Sequence, residues 1–122
     1  MSGEPAGLEG GWLLEGADGD GGPVRLVIAD RDLARSELGI TIGRHVELCE
    51  RVIADPTVSR RHCRLGLDAG RLAIEDLNSL NGTLLDGYEV PRFQPAPLRT
   101  GQELVLGRVT LRLSRLGPGA RA

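Results

Sequence analysis

No stretch of this chain keeps apolar residues at helical spacing for long. They alternate instead in short runs, cut by Gly, Asp, Asn and Pro. Residues 63–76 show the pattern best. Cys63, Leu65 and Leu67 alternate with Arg64 and Gly66, Asp68-Ala69-Gly70 reads as a tight turn, and Leu72 and Ile74 resume the alternation. Successive side chains on a strand point to opposite faces, so each run offers one apolar face that must be buried. Runs joined by such turns predict hairpins. Residues 24–28, 39–42, 52–54, 83–85, 88–90, 103–106 and 109–114 follow the same rule. Residues 15–23 read as a turn. Residues 30–38 carry charges that suit a short helix but are read as a loop, and Pro91, Pro95 and Pro97 make their stretch irregular. The sum is an all-β, antiparallel β-sandwich.

The 122 residues suit one domain, read here as residues 12–115 between flexible tails at 1–11 and 116–122. Aromatics make up only 2% of the chain, so the core must come from Leu, Val, Ile and Ala. A formal net charge of -2 gives no global basic field for nucleic acid. No apolar run has the length of a membrane span, and no basic-then-apolar leader opens the sequence. With only Cys49 and Cys63, the expectation is a soluble protein of the reduced cytoplasm.

Catalytic and metal chemistry find little footing. Ser59 and His62 lack a Gly-x-Ser-x-Gly elbow and an evident third member. Glu75 and Asp76 are adjacent, so on a strand they face opposite sides. Without Lys there is no nucleotide phosphate loop. His62 and Cys63 are strand neighbours that point apart, which argues against a zinc site with His45 and Cys49. The chain is read as a non-enzyme, with no cofactor and no metal.

Three polar segments stand out instead: Gly43-Arg44, Asp55-Pro56-Thr57-Val58-Ser59-Arg60-Arg61-His62, and Leu77-Asn78-Ser79-Leu80-Asn81-Gly82-Thr83. They offer guanidinium, hydroxyl and amide groups in what read as loops. Together they would suit one anion. A phosphorylated side chain, with about 1.5–2 negative charges and three acceptor oxygens, is one such anion. Guanidinium forks match such oxygens well.

The order Gly43-Arg44, Ser59-Arg60-Arg61-His62, Ser79-Leu80-Asn81-Gly82-Thr83 and Thr100-Gly101-Gln102-Glu103-Leu104-Val105-Leu106-Gly107 resembles the forkhead-associated (FHA) domain, small bacterial members included. The resemblance covers roughly residues 40–113. It implies a sandwich of about eleven short strands, whose loops at one end bind phosphothreonine peptides. By the same resemblance Arg44, Ser59 and Arg60 hold phosphate and Asn81 holds the peptide backbone. His62 braces the loops, supported by Gly43, Ser79, Gly82 and Thr83. Arg61 is read as solvated. Two positions depart from the family pattern: Leu80 stands where many members have Ser or Thr, and Asp86 where many have Asn. The threonine methyl is expected to meet an apolar spot near Leu80.

The expected function is a phosphothreonine-dependent adaptor in bacterial Ser/Thr-kinase signalling or secretion-system assembly. Its partner would be a phosphothreonine protein, a kinase or a kinase substrate. The alternative is the same fold binding its partner without phosphate.

Overall fold

The computed structural model describes residues 10–117. Among them the chain forms eleven strands and one short helix. β1 (Gly11–Ala17) and β2 (Pro23–Ala29) make the first hairpin. Its turn is shaped by Asp18, whose Oδ1 accepts the N–H groups of Asp20 and Gly22 at 2.9 and 2.7 Å. Residues 15–17, read above as turn, therefore belong to β1.

Residues 30–35 form a helix, α1 (Asp30–Arg35), rather than the expected loop. Six residues cannot hold a helix alone. Asp30 and Asp32 in the first turn and Arg35 in the last suit the helix dipole. Leu33 is buried, and Arg115, from near the far end of the chain, clamps Asp30 at 2.5 Å.

The remaining strands are β3 (Ile40–Gly43), β4 (Arg51–Val52), β5 (Cys63–Asp68), β6 (Arg71–Asp76), β7 (Thr83–Leu85), β8 (Tyr88–Glu89), β9 (Ala96–Pro97), β10 (Glu103–Leu106) and β11 (Val109–Leu116). One sheet has the order β2-β1-β11-β10-β7-β8, the other β4-β3-β5-β6-β9. All pairings are antiparallel except β3 with β4. The first strand starts and the last ends one residue outside the 12–115 boundaries. The expected tails otherwise fall on residues 1–9 and 118–122, outside those described, apart from Gly10 and Gly117. No described helix is long and apolar enough to cross a membrane.

The core between the sheets is aliphatic. Leu14, Ile28, Ile42, Leu65, Ile74, Leu104, Leu106 and Leu111 are all at most 1% exposed. Period-two alternation set most of them inward. It fails at Leu67, which is 48% exposed where the sandwich edge ends. The Asp68–Arg71 hairpin turns there with Ala69 and Gly70 both at positive φ. That is the backbone a two-residue loop between twisted strands requires.

Hairpin polarity decides where the loops go. Gly43 ends β3, Cys63 begins β5, Asp76 ends β6 and Thr83 begins β7, all at one end of the sandwich. The β1–β2 and β10–β11 turns reach the same end, where Gly19 N–H donates to Asp55 and Arg108 N–H to Thr57. Gly11 and Leu116 pair at the opposite end. Leu65→Ala is expected to cost about 2–5 kcal/mol in urea denaturation. Leu67→Ala should stay near ~0.5 kcal/mol, which checks the inward set.

Candidate functional site

Gly43 and Arg44 leave β3 against the 57–62 loop. Arg44 N–H donates to Ser59 O at 2.9 Å, and His45 N–H to Arg60 O at 3.2 Å. A Cβ on Gly43 would collide with the Arg60 carbonyl and lie 2.8 Å from Cys49 Sγ, so this approach needs glycine. The Cys49 thiol donates to the same Arg60 carbonyl at 2.9 Å. Burial pushes that thiol above its ordinary pKa.

The Arg44 side chain is exposed but not loose. Its Nε donates to Val58 O at 2.9 Å, which aims the rest of the guanidinium. Arg60 is exposed. Among the described residues, neither Arg44 nor Arg60 pairs with a carboxylate. Ser59 is bonded to Arg44 through its carbonyl and precedes Arg60 in the chain. Its N–H donates to His62 Nδ1 at 3.0 Å, and its Oγ accepts the Leu80 N–H at 2.9 Å. That leaves the hydroxyl proton available to another acceptor. Asn81 Nδ2 donates to Thr57 O at 2.8 Å, tying the 78–82 loop to the 57–62 loop.

His62 is fully buried. Because Nδ1 accepts the Ser59 N–H, Nε2 carries the proton and donates to Gly82 O at 2.9 Å. Gly82 has φ +82, a backbone that favours glycine. Burial holds the His62 pKa below its ordinary value, so the ring is neutral.

Ser79 and Thr83 meet at Asp76, weighed above only as half of an acid/base pair with Glu75. Asp76, 1% exposed, accepts Ser79 N–H at 3.0 Å and the hydroxyls of Ser79 and Thr83 at 2.6 Å each. Burial raises its pKa, but these donors outweigh that and lower it overall. The signal was present: Leu72, Ile74 and Asp76 share one parity, so Asp76 had to point inward, and an inward carboxylate needs donors. Asp55 and Thr57 belong to the second polar segment quoted above but were assigned no role there. Asp55 accepts the Thr57 hydroxyl and N–H at 2.5 and 2.8 Å, chiefly lowering its own pKa, and Thr57 Oγ1 accepts the Arg108 N–H. Asp-x-Thr is a local turn motif in its own right.

The structure thus brings Arg44, Ser59, Arg60 and Asn81 to one end, on loops fixed by main-chain contacts. The FHA domain model matches residues 40–107. The chain belongs to the FHA domain family. It is 38% identical over 80 residues to an oxoglutarate dehydrogenase inhibitor of Corynebacterium efficiens, covering 66% of this chain and 53% of that protein. The chain thus spans about half the length of that relative. Its fold superposes with TM-score 0.70 on an FHA domain of Arabidopsis thaliana, at 26% identity, covering 100% of this chain and 98% of the other. An FHA domain solved in a study of phosphothreonine-dependent interactions matches with TM-score 0.61 and 29% identity, over 84% of this chain and 94% of that one.

The two departures from the FHA pattern have structural answers. Leu80 has no hydroxyl, yet its main-chain N–H holds Ser59 Oγ. Asp86, at φ 50, accepts the Glu103 N–H at 2.9 Å and Gln102 Nε2 at 3.0 Å, bracing the β7–β8 turn on β10.

The buried braces His62 and Asp76 weaken in acid. His62 is neutral when folded, while an unfolded histidine takes a proton below about pH 6.5. Its contribution is complete above that pH and is lost as pH falls towards the lower folded value. Asp76, depressed when folded, contributes above about pH 3.9 and loses that below it. Stability in urea is therefore expected to fall from pH 7.5 to 5.5. His62→Gln should cost about 1–3 kcal/mol at pH 7.5 and flatten that fall.

Proposed function

We propose that this chain is a phosphothreonine-reading adaptor rather than a catalyst. The observation that carries the reading is the convergence at Ser59. A hydroxyl held from behind by the Leu80 N–H keeps its own proton to donate, beside a guanidinium steered through its Nε. Arg44, Ser59 and Arg60 would hold the phosphate, and Asn81, whose Nδ2 already fixes the loop, would offer its Oδ1 to the ligand's backbone N–H. His62, Gly43, Ser79, Gly82 and Thr83 keep the loops in register without touching ligand. Family membership supports this, as does the 29%-identical FHA domain studied for phosphothreonine-dependent interactions.

The finer setting belongs to the same proposal. The domain spans residues 11–116, its partner is a phosphothreonine protein of a Ser/Thr-kinase pathway, and the chain works in the cytoplasm. Free Cys49 and Cys63 are compatible with a reducing compartment.

Calorimetry against a phosphothreonine peptide library, with unphosphorylated and phosphoserine versions, tests the reading. Micromolar binding to phosphothreonine is expected, weakening as salt rises. Each charge-assisted bond contributes about 1.5–3 kcal/mol, so Arg44→Ala should weaken binding roughly 10- to 150-fold. Equal binding of phosphorylated and unphosphorylated peptides would instead mark an FHA fold that reads its partner without phosphate.

A further inference from the structure

On the outer face of the five-stranded sheet, two of the smallest residues lie side by side. Leu72 and Ile74 point into the core, so Ala73 and its partner across the strands, Gly66, point outward. One step along the same face stands the ion pair Arg64–Glu75, 3.3 Å apart. The drop from those long side chains to a methyl and a hydrogen leaves a hollow of about 210 Å³. β3 begins and β5 ends beside it, so it lies towards the end of the sandwich opposite Arg44 and Ser59.

The rim of the hollow is apolar and braced. Leu38 and Leu67 both line it, and both stand in water, 74% and 48% exposed. Leu38 is held by a tight turn. Ser36 Oγ donates to Gly39 O and accepts the Gly39 N–H, both at 2.8 Å. A Cβ on Gly39, at φ +90, would collide with Leu65 O, so this turn is pressed onto β5. Lone exposed leucines are ordinary on protein surfaces. Two on the wall of one hollow make a continuous apolar surface, the kind that marks contact with another molecule.

Size and charge select the occupant. Small-molecule pockets run to roughly 300–1,000 Å³, whereas a cavity of about 150 Å³ holds a benzene ring. This hollow therefore suits one large side chain. Glu37 and Asp68 also line it, and neither forms an ion pair among the described residues. With Glu75 already paired to Arg64, the excess charge is negative. That sign repels nucleic acid and anionic lipid, and it favours a cation beside the entering side chain.

We propose that this hollow is a second docking site, which takes one large apolar side chain of a partner protein from a segment with Arg or Lys beside it. Leu38 and Leu67 supply the contact, Gly66 and Ala73 the room, and Glu37 and Asp68 the attraction for the cation. Because it lies away from Arg44 and Ser59, it can be filled while those loops hold a ligand of their own. The inference goes beyond the phosphothreonine reading, and failure of either leaves the other standing.

The test is leucine-methyl NMR of the whole chain, titrated with three capped tripeptides: Arg-Trp-Arg, Arg-Ala-Arg and Glu-Trp-Glu. Arg-Trp-Arg should shift the Leu38 and Leu67 methyl signals saturably, with the millimolar dissociation constant expected of a single side chain. Arg-Ala-Arg should give no saturable shift, and Glu-Trp-Glu should bind at least about fivefold more weakly than Arg-Trp-Arg. Gly66→Val fills the floor of the hollow. Its Cβ would lie 3.6 Å from Gly39 Cα, an ordinary contact, so the chain should keep its urea midpoint and lose the shifts. Leu38→Ser, on the exposed turn, should weaken Arg-Trp-Arg about threefold or more, read at the Leu67 methyls. No saturable shift at Leu38 and Leu67 in the unaltered chain overturns the proposal. So does equal binding of the Arg-flanked and Glu-flanked peptides, or a folded Gly66→Val or Leu38→Ser chain that binds unchanged. Movement of the same signals on raising the protein concentration alone would give the hollow to a second copy of this chain and overturn its assignment to another protein.

Discussion

One buried imidazole joins the two halves of this molecule at its working end. His62 precedes β5 in the five-stranded sheet, and Gly82, which accepts its Nε2 proton, precedes β7 in the six-stranded sheet. The Thr83–Asp76 bond crosses between the sheets in the same way, from β7 to β6, and the Arg108–Thr57 bond from the β10–β11 turn to the 57–62 loop. Aliphatic packing sets the distance between the sheets, but it is non-directional and cannot hold a register between loops. Directional bonds do that, and here they cluster where two loops from different sheets meet. A buried histidine using both nitrogens suits the task because each nitrogen accepts or donates only in one tautomer. The geometry of Ser59, one bond from the ring, inherits that constraint.

The fold was legible wherever one face of a strand meets the core, because burial enforces a period of two. It became illegible where that constraint ended. Leu67 sits on the right parity but beyond the edge of the packed area. Residues 30–35 form a helix only because Leu33, and Arg115 from the far end of the chain, hold them, which no local pattern reports. The parallel pairing of β3 with β4 likewise depends on a chain reversal through residues 44–50 and not on either strand's own sequence.

The site was legible as residue types in loops, and less so as a network. Arg44, Ser59 and Asn81 stand out because their side chains carry chemistry. Val58 matters through its carbonyl and Gly43 through the side chain it lacks. Thr57 matters through a hydroxyl that donates to Asp55 and accepts from Arg108. Main-chain contacts of this kind leave almost no mark on residue identity, glycine excepted.

The distribution of charge completes the picture. The chain has 17 acidic and 15 basic residues, so carboxylates are not scarce. Yet Asp55, Asp76 and Asp86 all accept N–H or O–H donors from the chain, and each has its pKa lowered by those bonds. None forms an ion pair among the described residues. The ion pairs that do form, such as Arg64–Glu75 and Arg115–Asp30, lie on the sheet face and beside α1. Had Asp55 or Asp76 been turned towards Arg44 or Arg60, the site would neutralise itself, and a phosphate would have to displace an internal partner to enter. Braced by neutral donors instead, the loops keep their shape, and the arginines keep their charge for whatever anion arrives.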